Sequence, residues 1–382
     1  MQPVYLDHNA TSPLRPEAEA ALLTALKAAG NPSSVHGAGR AARERVEHAR
    51  AEVAALVGAS PSQVVFTSGG TEADNLALVS LAAAGPCTLI ISAIEHEAVA
   101  ECAKTLGVAV DVLPVDGEGV ARLDWLAERL DRWTEADGRP MLALMLANNE
   151  TGVIQPVAEA AQLIHQRGGQ VHVDAVQAAG RIALDLAALG ADSLALSAHK
   201  LGGPQGVGAL ITAETFPLKR QLHGGGQERG LRAGTENVAG IAGFGAAATA
   251  ALRDLHLAAE QAVWRDAAAE RLKAEAGVLV AGEGAPRLAN TLCLAAEDFP
   301  SHLQVMALDL AGVMVSAGAA CSSGKVKPSG VLAAMGYSAE RAGSVLRVSG
   351  GWTTREADWN LFVEAWLEAW RRRVQRRVKE FA

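Results

Sequence analysis

"SLALSAHKLGGPQGVGALI" (residues 193–211) decides how this chain folds. An apolar run ends at Ser197, His199 and Lys200 follow at once, and then come Gly202, Gly203, Pro204 and Gly206. A run with no polar alternation predicts a strand buried on both faces of a sheet. An amine at the mouth of such a strand is costly to desolvate. A lysine placed there loses its proton readily and becomes a nucleophile toward aldehydes. The glycines keep the chain low around that amine and leave room for a ligand.

Similar apolar runs lie upstream: "QVVFTS" (63–68), "CTLIIS" (87–92), "VAVDVLP" (108–114), "MLALMLA" (141–147) and "QVHVD" (170–174). Helical patterns over 39–57, 71–84, 122–133 and 156–167 alternate with them. This rhythm predicts an α/β fold with a mostly parallel sheet between helices, where ligands collect beyond the carboxyl ends of the strands. After about residue 240 the texture changes to a long alanine-rich helical stretch (238–276), short strands and a tail helix. The expected organisation is an N-terminal arm (1–15), a large domain (16–250) and a small α+β domain (251–382) packed with the arm.

The chain has 382 residues, of which 49 % are hydrophobic, 20 % charged and 4 % aromatic, an ordinary globular profile. A net charge of −8 speaks against a nucleic-acid partner, which calls for a basic face. The first twelve residues lack the basic start and apolar core of a secretory signal. The apolar runs break off short of the roughly 18 residues a membrane helix needs. Cys87, Cys102, Cys293 and Cys321 form neither a CxxC pair nor a zinc spacing, so no intrinsic metal site is expected. Scattered cysteines fit a reducing, cytoplasmic setting.

Polar residues gather just past the strands. Gly69-Gly70-Thr71-Glu72 opens a helix, where free N–H groups favour an anion such as phosphate; a merely structural turn is the alternative. Glu95-His96, Asn148-Asn149-Glu150, Asp174 with Gln177, and Ser197-His199-Lys200 follow the other strands. Asp174 is either a helix cap or a carboxylate awaiting a protonated ring nitrogen. Phosphate cradle, buried acid and strand-end lysine are the three anchors that pyridoxal 5'-phosphate (PLP) needs.

The ordered motifs "YLDHNATSP", "NPSSVHGAGRAA", "SGGTEADN", "EHEAV", "NNETG", "HVDAVQ", "SAHK", "GLRAGTEN" and "LRVS" resemble the cysteine desulfurases of the class V, fold-type-I PLP superfamily. The resemblance runs in register over nearly the whole chain. It implies a large domain with a mostly parallel seven-stranded sheet, PLP as cofactor, L-cysteine as substrate and a homodimer.

By the same resemblance, Lys200 binds the cofactor aldehyde and moves the substrate's α-proton, and Asp174 keeps the ring nitrogen protonated. His96 stacks on the ring and serves as acid or base, and Gln177 meets the phenolic oxygen. Gly70, Thr71, Ser197 and His199 hold the phosphate, with Thr235 supplied to the neighbouring subunit. Arg347, with Asn149, grips the substrate carboxylate through its planar fork. Cys321, in the Gly/Ala/Ser-rich "VSAGAACSSGKVKPSG" (315–330), is the nucleophile that takes sulfur as a persulfide. This segment resembles the long-loop group, which implies handover to an acceptor such as an iron–sulfur scaffold, whose cluster Cys321 would contact transiently. The other three cysteines are core filler.

Two departures stand out. The family pattern carries a second arginine after the substrate arginine, where this chain has Ser349-Gly350-Gly351-Trp352 and one residue fewer. The tail "WRRRVQRRVKEFA" (370–382) is either a solvated face or a docking surface for an acidic partner. Competing readings are a selenocysteine lyase, another class V aminotransferase, and a non-catalytic sulfur-carrier subunit. The last predicts loss of Lys200, Asp174 or Cys321, and all three are present.

Overall fold

The computed structural model describes residues 3–318 and 329–380, the last five as backbone only. In chain order the elements are β1 (Val4–Tyr5), α1 (Pro16–Leu26), α2 (Gly37–Leu56), β2 (Val64–Thr67), α3 (Gly70–Ala83), β3 (Cys87–Ser92), α4 (Glu97–Thr105) and β4 (Ala109–Leu113). Then come α5 (Leu123–Asp131), β5 (Arg139–Ala143), α6 (Val157–His165), β6 (Gln170–Asp174), β7 (Ser193–Ser197), β8 (Gly208–Thr212), α7 (Val238–Arg253) and α8 (Ala258–Ala276). The remainder is β9 (Leu279–Val280), β10 (Thr291–Ala295), α9 (Ser301–Leu310), β11 (Val313–Met314), β12 (Ser316–Ala317), α10 (Gly330–Ala334), α11 (Ala339–Ala342), β13 (Val345–Ser349) and α12 (Glu356–Glu380).

The large sheet has seven strands in the order β2-β8-β7-β6-β5-β3-β4. Its neighbours run parallel except β8, which is antiparallel to both β7 and β2. The glycine- and proline-rich turn after Lys200 holds no crossover helix, so the chain returns antiparallel. Gly208 starts that return: a Cβ there would lie 2.6 Å from both the Gly69 carbonyl carbon and the Leu196 oxygen.

Period-two geometry explains the continuous apolar runs, because both faces are covered. Leu142, Leu144, Val171, Val173, Leu194 and Leu196 pack against α2, α6 and α7. Met141, Ala143, Leu89, Ile91, Ala195 and Leu210 meet α3 and α4 on the other face. Each buried Leu, Ile, Val or Met among them contributes on the order of 1.5–3 kcal/mol. β9, β10, β12 and β13 form a second, antiparallel sheet. Leu292, Leu294, Leu346 and Val348 of that sheet pack on Trp359, Phe362 and Trp366 of α12. β1 pairs in parallel with β11, which ties residues 4–5 to 313–314.

The run at 141–147 forms a ladder strand only to Ala143, although Leu144 and Leu146 still donate to the His172 and Asp174 carbonyls. The 238–276 stretch is two helices, divided by a 3-10 turn at Asp254–Leu257. Contrary to the expectation from apolar run length, Val238–Ala276 is the one stretch among the described residues long and apolar enough to cross a membrane by composition. Its α7 half packs in the core, with Ile241, Phe244, Ala247, Ala248 and Ala251 buried.

Candidate active site

The strand ends converge on a cavity of about 380 Å³, lined by Gly70, Thr71, His96, Asn149, Asp174, Gln177, Ser197, His199, Lys200 and Arg347. Ten predicted site residues therefore share one cavity. Thr235 does not: it is exposed and lines a separate cavity of about 230 Å³ beside Ser68 and Arg232. Cys321 lies outside the described residues. Cys87, Cys102 and Cys293 are buried and free.

Lys200 sits in the short turn that ends β7. Its Nζ donates to the carbonyls of Asn9 (2.6 Å) and Ala10 (2.8 Å). Burial pushes its pKa down to about 7, helped by the charges of Arg181 and Arg347. The amine is thus a competent nucleophile near neutral pH, as the position of the residue suggests. His199 bonds Thr11 Oγ1 (3.1 Å) and is held neutral, its pKa lowered to about 4 by burial and by Lys200.

Asp174 closes β6. Its Oδ1 accepts from Val176 N at 2.9 Å, and burial followed by the nearby Asp74 carboxyl pushes its pKa well up. This carboxyl makes no ion pair among the described residues, and a protonated ring nitrogen would supply one. His96 caps α4, its Nδ1 accepting from Ala98 N (3.1 Å), so a neutral ring carries its proton on Nε2. The Gln177 amide donates to the Asn9 carbonyl (2.9 Å) and accepts from Arg181.

At the opposite side, α3 begins at Gly70, and a Cβ on Gly69 would meet nothing within 4 Å. The Thr71 and Ser197 hydroxyls make no hydrogen bond among the described residues. An open helix start with two free hydroxyls suits a phosphate. Arg347 enters from β13 of the second sheet and is 2 % exposed. It donates to the Asn149 carbonyl (3.1 Å) and to Asp7 (2.9 Å), while its Nε is buried with no partner among the described residues. That orphan donor suits a carboxylate. The donor set therefore fits PLP at every anchor: amine, acid, phosphate cradle and substrate fork.

The sequence did not point to Asn9, Ala10, Asp7, Asp74 or Arg181. Two of these act through backbone carbonyls, which carry no side-chain signal. Asp74 had one: a lone acid on the apolar side of α3, between Ala73 and Leu76, Ala77. The altered rim also resolves. A Cβ on Gly351 would fall 2.0 Å from His8 Nδ1, Trp352 Nε1 donates to the Pro13 carbonyl (2.9 Å), and the Arg15 guanidinium lies 5.3 Å over the Trp352 ring.

This arrangement, a seven-stranded sheet presenting a strand-end lysine and a facing acid to one cavity, defines a PLP-dependent fold-type-I enzyme. The aminotransferase class-V model matches residues 4–362, and the chain belongs to that family. A cysteine desulfurase of Cereibacter sphaeroides is 44 % identical over 370 residues, 93 % of this chain and 92 % of that protein. An IscS-like cysteine desulfurase of Mycobacterium tuberculosis is 38 % identical, covering 95 % of this chain and 94 % of its own. The X-ray structure of a NifS-like protein from Rickettsia africae superposes with a TM-score of 0.89 at 32 % identity, over 97 % of this chain and 99 % of that one.

Proposed function

We propose that this chain is a PLP-dependent cysteine desulfurase, converting L-cysteine and an enzyme thiol into L-alanine and a persulfide. The observation that carries the reading is the meeting of Lys200, Asp174 and Arg347 in one cavity. The named relatives, all cysteine desulfurases or NifS-like, support it.

PLP, when bound, supplies an electron sink conjugated to the substrate amine. Lys200 would hold the cofactor aldehyde and would move the proton at the substrate Cα. Asp174 would keep the pyridine nitrogen protonated by meeting it with a negative charge. His96 would cover the ring and exchange protons through Nε2. Gln177 would donate to the phenolic oxygen. Gly70, Thr71, Ser197 and His199 hold the phosphate, joined by Thr235 of a second copy in a homodimer. Arg347 and Asn149 orient the substrate carboxylate. The Cys321 thiol takes the substrate sulfur: one S–S bond forms, the substrate C–S bond breaks, and a proton completes alanine.

Cys321 then passes sulfur to an acceptor, an iron–sulfur scaffold being the partner of choice, in the cytoplasm. Residues 16–250 form the large, PLP-binding domain, and the arm 1–15 packs with the small domain 251–382, which carries Cys321. Incubation with L-cysteine and a thiol reductant tests the reading: alanine and sulfide form in equal amounts, and Cys321→Ser releases neither. A variant that still releases alanine points to a different class V reaction.

A further inference from the structure

Behind Asp174 lies a polar seam whose Asp74, His172 and Ser193 the proposed chemistry does not use. His172 and Asp174 stand two residues apart on β6 and face the same side, where α3 brings Asp74. His172 Nε2 lies 3.1 Å from Asp74 Oδ1, and its Nδ1 lies 2.9 Å from Ser193 Oγ on β7. Asp74 is 1 % exposed and His172 and Ser193 are 0 % exposed, yet Asp74 also lines the cavity. No lysine or arginine pairs with Asp74 among the described residues. The groups facing it are Asp174, Glu95, His96 and Cys102. Glu95 adds a third carboxyl, its Oε1 accepting from Met145 N (2.7 Å) and its Oε2 buried without a partner among the described residues.

Three carboxyls crowded into one dry seam cannot all ionise. The imidazole has one proton and two nitrogens to hold it. Nδ1 lies against the Ser193 hydroxyl, which accepts when the ring carries its proton there. A neutral ring with Nδ1–H leaves Nε2 as an acceptor, so its partner on Asp74 must donate. Burial acts in the same sense, raising Asp74 to about 8 and lowering His172 to about 4.

We infer that Asp74 is a protonated positioning residue: its O–H donates to Nε2 of a neutral His172, leaving Asp174 as the carboxyl that ionises against a ring nitrogen. The inference rests on the proposed PLP function for its purpose, but not for its first test. A neutral Asp74 keeps a second negative charge from competing for the ring proton and from raising the lysine amine across the cavity. It also fills the wall beside Asp174 with a hydrogen-bonded side chain in place of water.

Nitrogen NMR of the wild-type protein without cofactor, with labelled histidine and His172 assigned through His172→Gln, reads the tautomer directly. The expected signal is a neutral ring protonated on Nδ1 alone, unchanged between about pH 5 and 8. An Nε2–H tautomer or an imidazolium in that range overturns the inference, whether or not the protein binds PLP. The holoenzyme tests the purpose. Asp74→Asn, neutral and of the same shape, should leave the pH midpoint of the cofactor absorption within about 0.3 units, whereas removing a true charge would move it by about one unit. Asp74→Leu, which strands the imidazole nitrogen, should weaken cofactor retention about tenfold, and Asn should recover most of that loss. A midpoint shift of about one unit in Asp74→Asn, or equal loss in Asn and Leu, refutes it. Failure of the wild type to bind PLP refutes the proposed function instead.

Discussion

Two buried strands, one from each sheet, deliver opposite charges to the same cavity. β6 lies between parallel neighbours in the large sheet and ends in Asp174; β13 lies between antiparallel neighbours in the small one and carries Arg347. Both strands are buried. Yet Arg347 is paired with Asp7, while Asp174 makes no ion pair among the described residues and is held above the usual carboxylate range. A charge that already has a partner orients what arrives; a charge that lacks one is made whole by what arrives. On the proposed function, the large sheet serves the cofactor and the small sheet the substrate.

Removing the covalent anchor is the harshest way to break that contrast. Lys200→Ala should lower turnover by more than about a thousandfold, and borohydride reduction followed by peptide mapping should label Lys200 in the wild type only. Asp174→Asn attacks the large-sheet side. It should cut kcat by about a hundredfold or more and alter the cofactor's absorption band, with a far smaller effect on KM. Arg347→Lys attacks the other side by replacing a two-pronged donor with a single point charge. The expected result is a rise of about thirtyfold in KM with the cofactor spectrum unchanged. Should Arg347→Lys alter the spectrum as Asp174→Asn does, the division of labour between the sheets is wrong.

Smaller effects sharpen the picture. Arg181 lowers the Lys200 pKa by charge, so Arg181→Gln should raise it and shift the acidic limb of cofactor attachment by about half a unit to higher pH, measured from attachment rates. Glu150 sits at the border of the two sheets. It accepts from Ser329 Oγ at 2.6 Å, and burial raises it to about 7. A carboxyl raised in the fold is protonated there while the unfolded chain is already ionised, so it costs stability from about pH 4.5 upward, fully above about 7. Glu150→Gln removes that penalty. Its stability gain over wild type, read from denaturant unfolding, should be larger at pH 8 than at pH 5, by up to about 2.5 kcal/mol.

The strand ends were legible because burial on both faces writes an unbroken apolar run, and the polar residue that stops it is the one aimed at the ligand. Lys200, Asp174, His96 and Gly70 were all found this way. The arm was not. Asn9 and Ala10 hold Lys200 through carbonyl oxygens, and Asp7 reaches Arg347 across 340 positions of sequence, a contact that no local pattern encodes. Asp74 was hidden differently, its acid overlooked inside a helix recognised for its apolar face. The turn after Ser349 departs from the family pattern. In the fold, Gly351 yields the space that His8 fills, and Trp352 with Arg15 lines a neighbouring cavity.

The pairing of residues 4–5 with 313–314 has a consequence for biosynthesis. Residues near position 5 leave the ribosome long before their partner strand exists, and the carbonyls of Asn9 and Ala10 cannot settle on the lysine until that strand is made. The nascent chain can assemble its parallel sheet while translation continues, but the arm can be tied down only after residues 313–314 have been made. Incomplete chains released early would carry the reactive amine without the clasp that aims it.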